Sequence, residues 1–218
     1  MQRLVFADTD ELSDGIDGEL ASLLPLRERE RVFGIEDESL RKQSLLGAAL
    51  VRAFTGDGDI LYGEKGKPYK IASHEFNLSH SGKRAVLYFG DESAVGTDIE
   101  RIRPIADGTA AKLFGEEEKA FADGRFSADV ANIALWTIKE AAAKFGGSGV
   151  YSPRKQVATG ISDDSFIFGG KRVYYKVYIS DGYVITACAG VKVEATPERV
   201  DITEIIRLIK GGEKRRRI

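Results

Sequence analysis

The chain has 218 residues, 43% of them hydrophobic and 30% charged, with a formal net charge of −2. That is the composition of an ordinary soluble globular protein, long enough for one large domain or two small ones around a shared core. The near-balanced charge argues against nucleic-acid binding as a bulk property, and a single cysteine, Cys188, excludes an internal disulfide.

Residues 3–7 read as a short strand, followed by an acidic, glycine-containing loop over 8–18 and a short helix over 19–24 ahead of Pro25. The opening Met1-Gln2-Arg3-Leu4-Val5-Phe6 lacks the apolar segment of a signal peptide, and no stretch is long and apolar enough to span a membrane. A cytoplasmic location, with neither nucleic acid nor membrane as partner, is therefore expected. Arg27, Arg29 and Arg31 alternate with Glu28 and Glu30. Such alternation marks either an exposed face with local ion pairs or a set of cations for an anionic ligand.

Acidic residues crowd the start of a helix over 36–54, as the helix dipole favours, and Leu46, Leu50 and Phe54 recur at i+4 as its core stripe. Thr55-Gly56-Asp57-Gly58 stops it. In the turn-rich loop 63–68, Lys67 precedes Pro68 and is held extended. Strands are expected over 76–79 and 84–89, joined by a turn at Gly82, with 95–100 supplying a third. Arg101-Ile102-Arg103-Pro104 ends this half, which places a boundary near Pro104 and divides the chain into halves 1–104 and 105–218.

The second half opens with a helical segment over 105–114, a break at Gly115 and an acidic start, Glu116-Glu117-Glu118, to a second helix. Ser127 is expected to cap a third helix over 128–145, which Gly146-Gly147 ends. Strands follow over 165–168, 172–180 and 183–189, with Asp181-Gly182 as a hairpin turn. Cys188 lies in the last of these apolar runs and reads as a buried small residue rather than a reactive thiol. Asp201 caps a final amphipathic helix on which Ile202, Ile205, Ile206 and Ile209 share a face, ahead of a solvated basic tail. Each half reads as a helix followed by antiparallel strands, which suggests a duplicated α+β unit.

Two places carry chemistry. On a strand over 95–100, Val95, Thr97 and Ile99 face a core while Gly96, Asp98 and Glu100 face the other way. Two carboxylates beside a glycine that admits something close are either metal ligands or a solvated strand face. On the helix, Trp136, Glu140 and Lys144 form one i+4 row at the margin of a buried stripe. The plain reading there is a Glu140–Lys144 ion pair worth tenths of a kcal/mol. The functional reading makes Glu140 a third oxygen ligand beside Asp98 and Glu100. Three carboxylates without a cysteine or histidine cluster suit a hard cation, Mg²⁺ most naturally, and Mg²⁺ implies a substrate carrying a phosphate or diphosphate. His80, Lys67 and the arginines around Arg29 are available to neutralise such a substrate. His74 has no such context and reads as a surface loop residue.

Taken together, Asn77-Leu78-Ser79-His80-Ser81-Gly82, Gly96-Thr97-Asp98-Ile99-Glu100 and Trp136-Thr137-Ile138-Lys139-Glu140-Ala141-Ala142-Ala143-Lys144 resemble the 4′-phosphopantetheinyl transferase superfamily, in its longer, Sfp-type branch. Gly66-Lys67-Pro68 and the helix around Ser44 also look like family features. The resemblance implies an α+β fold of two similar halves related by a pseudo-twofold, each a helix plus a small antiparallel sheet, with the active site at their junction. It implies transfer of 4′-phosphopantetheine from coenzyme A to a serine of an apo acyl or peptidyl carrier protein, dependent on Mg²⁺ and releasing 3′,5′-ADP.

By the same resemblance, Asp98, Glu100 and Glu140 hold Mg²⁺. Ser79, His80, Lys67, Arg29 and Ser44 contact coenzyme A, Ser44 at its 3′-phosphate. Lys144 neutralises the diphosphate, and Glu118, four residues after Phe114, is the general base for the carrier serine. An internally duplicated chain makes a monomer the simplest expectation. Two other readings use the same carboxylates or surface: a Mg²⁺-dependent phosphohydrolase or nucleotidyl transferase, and a non-catalytic module that binds carrier proteins or coenzyme A.

Overall fold

The computed structural model describes residues 2–13, 15–56, 60–62, 68–69, 75–90, 94–105, 107–147 and 160–215. The first unit begins with strand β1 (Gln2–Asp8), a turn of 3₁₀ helix (Thr9–Glu11) and helices α1 (Ile16–Ser22), α2 (Leu26–Phe33) and α3 (Glu38–Thr55). Two short strands, β2 (Leu61–Tyr62) and β3 (Pro68–Tyr69), precede the hairpin β4 (Glu75–Ser81) and β5 (Arg84–Gly90). Then come β6 (Val95–Arg101), α4 (Asp107–Leu113), α5 (Glu116–Arg125) and α6 (Ala128–Phe145). The chain ends with β7 (Ser165–Phe168), β8 (Lys171–Ser180), β9 (Tyr183–Ala189), β10 (Pro197–Arg199) and α7 (Ile202–Arg215).

Two four-stranded sheets result, ordered β10-β1-β5-β4 and β6-β9-β8-β7, and all pairs are antiparallel except β1 with β10. Strand alternation sorts their side chains into layers. Val5, Ala7, Ala85, Leu87 and Phe89 face α3 and α7, where they meet Leu46, Leu50, Ile205 and Ile209. Leu4, Phe6, Val86 and Tyr88 face the other way and pack against Val95, Ile99, Ile185 and Ala187 of the second sheet. Behind that sheet, Val184 and Cys188 meet α6 at Ile133, Ala134, Ile138 and Ala141. The order is helix, sheet, sheet, helix, each sheet being buried on both faces, as the unbroken burial of β5 and β9 requires.

The repeat is visible in the topology. β1, α3 and the β4–β5 hairpin correspond to β6, α6 and the β8–β9 hairpin, with strand orders 1-5-4 and 6-9-8. This corrects one expectation. Residues 95–101 do not add a third strand to the first sheet: β6 pairs with β9 in the second sheet, Asp98 opposite Thr186. In the repeat, β6 stands where β1 stands in the first unit. The halves also exchange chain, since β10 and α7 return to the first sheet and its helix.

The expected Asp201 cap of α7 forms through the Glu204 N–H; Asp37, expected inside the helix over 36–54, instead caps α3 by accepting from the Leu40 N–H. Asp181 and Gly182 both adopt positive φ, 52° and 77°, in the β8–β9 turn. Ser127 occupies the position before α6, but its side chain makes no capping hydrogen bond. Among the described residues no helix is long and apolar enough to cross a membrane.

Candidate active site

Gly96 decides how the site is assembled. A Cβ added there would lie 2.1 Å from the Ala141 carbonyl oxygen and 2.6 Å from the Phe145 nitrogen. What the glycine admits is thus the backbone of α6, which settles directly on β6. The next residue on the same face of β6 is Asp98, so the close approach lays Glu140 and Lys144 over it. Lys144 Nζ donates to Asp98 Oδ1 at 2.6 Å and to Ser79 Oγ at 2.8 Å, and Ser79 Oγ in turn donates to Asp98 Oδ1 at 2.8 Å. Lys144 therefore pairs with a carboxylate on another element and not with its i+4 neighbour Glu140.

Ser79 comes from β4, the edge strand of the first sheet, and β6 is the edge strand of the second. The two edges are joined by side chains: Asn77 Oδ1 accepts from the Thr97 N–H at 2.8 Å, and Ser81 Oγ donates to Glu100 Oε2 at 2.8 Å. Residues 77, 79 and 81 alternate onto one face of β4, where all three are polar. Phe76 and Leu78 take the apolar face toward α3, close enough that a Cβ on Gly47 would meet Leu78 Cδ2 at 2.7 Å.

Several of these residues line a cleft of about 380 Å³. Its polar lining is Ser79, His80, Asp98, Glu140 and Lys144 together with Arg31 and Ser44, and its apolar lining is Ala48, Val51, Ile60, Pro68 and Leu78. Arg31 Nη1 donates to Ser44 Oγ at 2.9 Å and its guanidinium also pairs with buried Glu28 at 3.0 Å. Cations, carboxylates and apolar side chains in one cleft suit an anionic, partly apolar ligand.

Asp98 Oδ2 and Glu140 Oε1 are buried, and among the described residues neither has a hydrogen-bond partner. Burial, with the charge of Asp98 behind it, pushes the Glu140 carboxyl up to about 7, against which Lys144 acts only in part. His80 is held below its ordinary value by desolvation at the cleft wall and by the Lys144 ammonium. Among the described residues no three His, Cys, Asp or Glu side chains are gathered as a ready-made metal cage. Two buried, unpartnered carboxylate oxygens facing a shared negative field are nevertheless a donor set that a hard divalent cation would satisfy.

Other expected site residues stand elsewhere. Glu118 is 1% exposed and does not line the cleft. It occupies the first turn of α5, where Oε2 accepts from the Gly115 N–H at 2.9 Å and pairs with Lys139 Nζ at 3.2 Å. Lys139 also donates to the Leu113 carbonyl at 2.7 Å, so the pair ties α4 and α5 to α6. Arg29 does not line the cleft either; the arginine of α2 that does is Arg31, two residues on. Lys67 and His74 lie outside the described residues. Sequence reasoning passed over Arg31, Asn77 and Ser81 as bearers of separate roles; the alternation of polar residues at 77, 79 and 81 was the available signal for the last two.

The family model of the 4′-phosphopantetheinyl transferase superfamily matches residues 94–188. That stretch runs from the start of β6 to β9, the second repeat of the fold. The chain is 34% identical over 122 residues to the 4′-phosphopantetheinyl transferase AcpT of Salmonella typhimurium, covering 52% of this chain and 64% of that protein. It is 27% identical over 188 residues to the 4′-phosphopantetheinyl transferase ffp of Bacillus subtilis, covering 78% of this chain and 84% of that one. Against the 4′-phosphopantetheinyl transferase Sfp of Bacillus subtilis the figures are 28% over 181 residues, 75% and 80%. The chain thus spans less than two thirds of the AcpT relative and four fifths or more of the two Bacillus relatives.

Proposed function

The chain belongs to the 4′-phosphopantetheinyl transferase superfamily, and on that premise we propose that it transfers 4′-phosphopantetheine from coenzyme A to a serine of an apo acyl or peptidyl carrier protein, releasing 3′,5′-ADP, with Mg²⁺ as cofactor. The observation that carries this reading is the convergence of Ser79, Asp98, Glu140 and Lys144 in a cleft that Arg31 and Ser44 also line. Coenzyme A has two anionic stations, a diphosphate and a 3′-phosphate, joined by a less polar nucleoside. The cleft offers two cations, Lys144 and Arg31, and apolar side chains in the same lining.

Asp98 and Glu140, with their unpartnered oxygens, and Glu100 on the same face of β6 would hold the Mg²⁺. When bound, the ion would withdraw charge from the diphosphate oxygens. The serine hydroxyl attacks the phosphorus that bears the pantetheine; the bond from that phosphorus to the bridging oxygen breaks, and 3′,5′-ADP leaves with the bonding electrons. Lys144 offsets the charge on the diphosphate, and Ser79 and His80 orient it from β4. Arg31 and Ser44 anchor the 3′-phosphate, a role in which Arg31 replaces Arg29. A carboxylate takes the serine proton. For Glu118 to be that base, its buried pair with Lys139 must open. Positioning and electrostatics supply most of the acceleration, as in other phosphoryl transfers.

The test is to incubate the protein with coenzyme A, Mg²⁺ and an apo carrier protein and to weigh the carrier by intact-mass spectrometry. A gain of one phosphopantetheine is expected, abolished by Asp98→Ala and by Glu140→Ala in proteins that remain folded. No gain across fatty-acid, polyketide and peptide carriers, or full activity in both variants, sinks the proposal. Nucleotide turnover without a carrier would favour a phosphohydrolase instead.

A further inference from the structure

The seam between β4 and β6 assigns work to residues that have no role so far. Among the described residues both strands are sheet edges, each with a row of main-chain groups facing away from its own sheet. On β6 two of these donors, the N–H groups of Thr97 and Arg101, are taken by side chains of β4: Asn77 Oδ1 at 2.8 Å and Ser81 Oγ at 3.2 Å. Donors four residues apart point the same way along a strand, so Asn77 and Ser81 occupy two rungs that no neighbouring strand fills among the described residues. Ser81 does one thing more. The hydroxyl that accepts from the Arg101 main chain gives its own proton to Glu100 Oε2 at 2.8 Å. One hydroxyl thereby ties the carboxylate of Glu100 to the backbone that carries it.

We infer that Ser81 is a positioning residue for the Glu100 carboxylate, with Asn77 setting the register of β6 against β4 so that Asp98 and Glu100 stand opposite Ser79 and Ser81. This rests on the reading of Asp98, Glu100 and Glu140 as cation ligands. A half-buried glutamate on an edge strand has several rotamers open to it, and only some of them direct an oxygen to the neighbourhood of Asp98 and Glu140. Holding Oε2 from Ser81 restricts that choice and leaves the other oxygen for a ligand. Hydrogen-bond partners behind a ligating carboxylate commonly set metal affinity by about 10- to 100-fold.

The experiment compares the wild-type protein with Ser81→Ala and Ser81→Thr. Mg²⁺ binding without coenzyme A is measured by isothermal titration, and carrier modification is followed by intact mass over a Mg²⁺ series. Ser81→Ala should weaken Mg²⁺ binding about 10- to 100-fold and move the Mg²⁺ midpoint of transfer by a similar factor, the rate recovering at saturating Mg²⁺. Ser81→Thr keeps the hydroxyl and should restore both midpoints, a rescue that a merely structural role would not tie to the metal. If the wild type transfers phosphopantetheine while Ser81→Ala binds Mg²⁺ as tightly as wild type, the positioning role is overturned and the functional reading stands. A rate deficit in Ser81→Ala that saturating Mg²⁺ leaves unrelieved overturns it equally. A wild-type protein that neither binds Mg²⁺ nor modifies any carrier removes the functional reading and this inference together.

Discussion

Replacing Gly96 by alanine adds one carbon at the contact that holds α6 on β6. That Cβ would lie 2.1 Å from Ala141 O, 2.6 Å from Phe145 N and 2.9 Å from Phe145 Cβ, all inside the 3.0 Å that real Cβ contacts do not cross. Two of the three atoms are helix backbone, so no side-chain rotation relieves the clash and α6 must withdraw by close to 1 Å. Overpacking of this kind costs about 1–3 kcal/mol, which in a chain of this size lowers Tm by roughly 2–12 °C. The larger effect falls on the site. Lys144 and Glu140 ride on α6, and a misplacement of about 1 Å can cost on the order of 100-fold in rate. Gly47→Ala is the control: its clash is with Leu78 Cδ2, the far end of a flexible side chain, so both losses should be smaller. Thermal unfolding and the carrier-mass assay read the two effects. A Gly96→Ala protein with wild-type Tm and wild-type transfer would refute the claim that the glycine seats the helix.

Three further outcomes follow from the buried charges. The Glu140 carboxyl, raised from 4.5 to about 7, binds a proton more tightly folded than unfolded, so its contribution to stability declines as pH rises between those values. In EDTA, urea unfolding should show roughly 3 kcal/mol less stability at pH 8 than at pH 4.5 from this group, a slope that Glu140→Gln removes and Mg²⁺ offsets; identical slopes in wild type and Glu140→Gln would rule this out. Glu118→Gln leaves Lys139 charged and buried without its partner, so stability should fall by about 3 kcal/mol while transfer stays within about tenfold of wild type. Unchanged stability with transfer down 100-fold or more would instead make Glu118 the base. Arg84 pairs with Asp8 at 2.8 Å and sits 4.3 Å and 4.8 Å from the ring centres of Phe6 and Tyr183. Arg84→Met should cost about 3 kcal/mol in urea denaturation, the low end for a broken buried pair, because Asp8 keeps only its longer contact with exposed Arg199 at 3.8 Å; a loss below about 1 kcal/mol would show that the clamp is unimportant.

Much of this was legible in the chain itself. The i+4 stripes, the capping aspartates and the Asp181-Gly182 turn are local signals, acting over a few residues, and they determined α3, α6, α7 and the β8–β9 hairpin. The alternation of Val95 and Ile99 with Gly96 and Asp98 was equally plain, and the two faces do separate into core and site. The family motifs named Ser79, His80, Asp98, Glu140 and Lys144, which the fold brings into the lining of one cleft.

What the sequence by itself did not decide is pairing, because strand partners and ion pairs depend on residues far apart in the chain. Strand β6 looks the same whether it joins the hairpin before it or the one after it; burial on both its faces, by the first sheet and by α6, selects the second. Lys144 has Glu140 one turn away, yet it binds Asp98 because Gly96 lets the helix settle there. Glu118 carries a family motif, and only packing against Lys139 shows its carboxylate engaged. Composition and periodicity determined the elements and the chemistry available to them. Tertiary contact decided which charges meet, and so where the cleft has two buried carboxylate oxygens without a hydrogen-bond partner among the described residues.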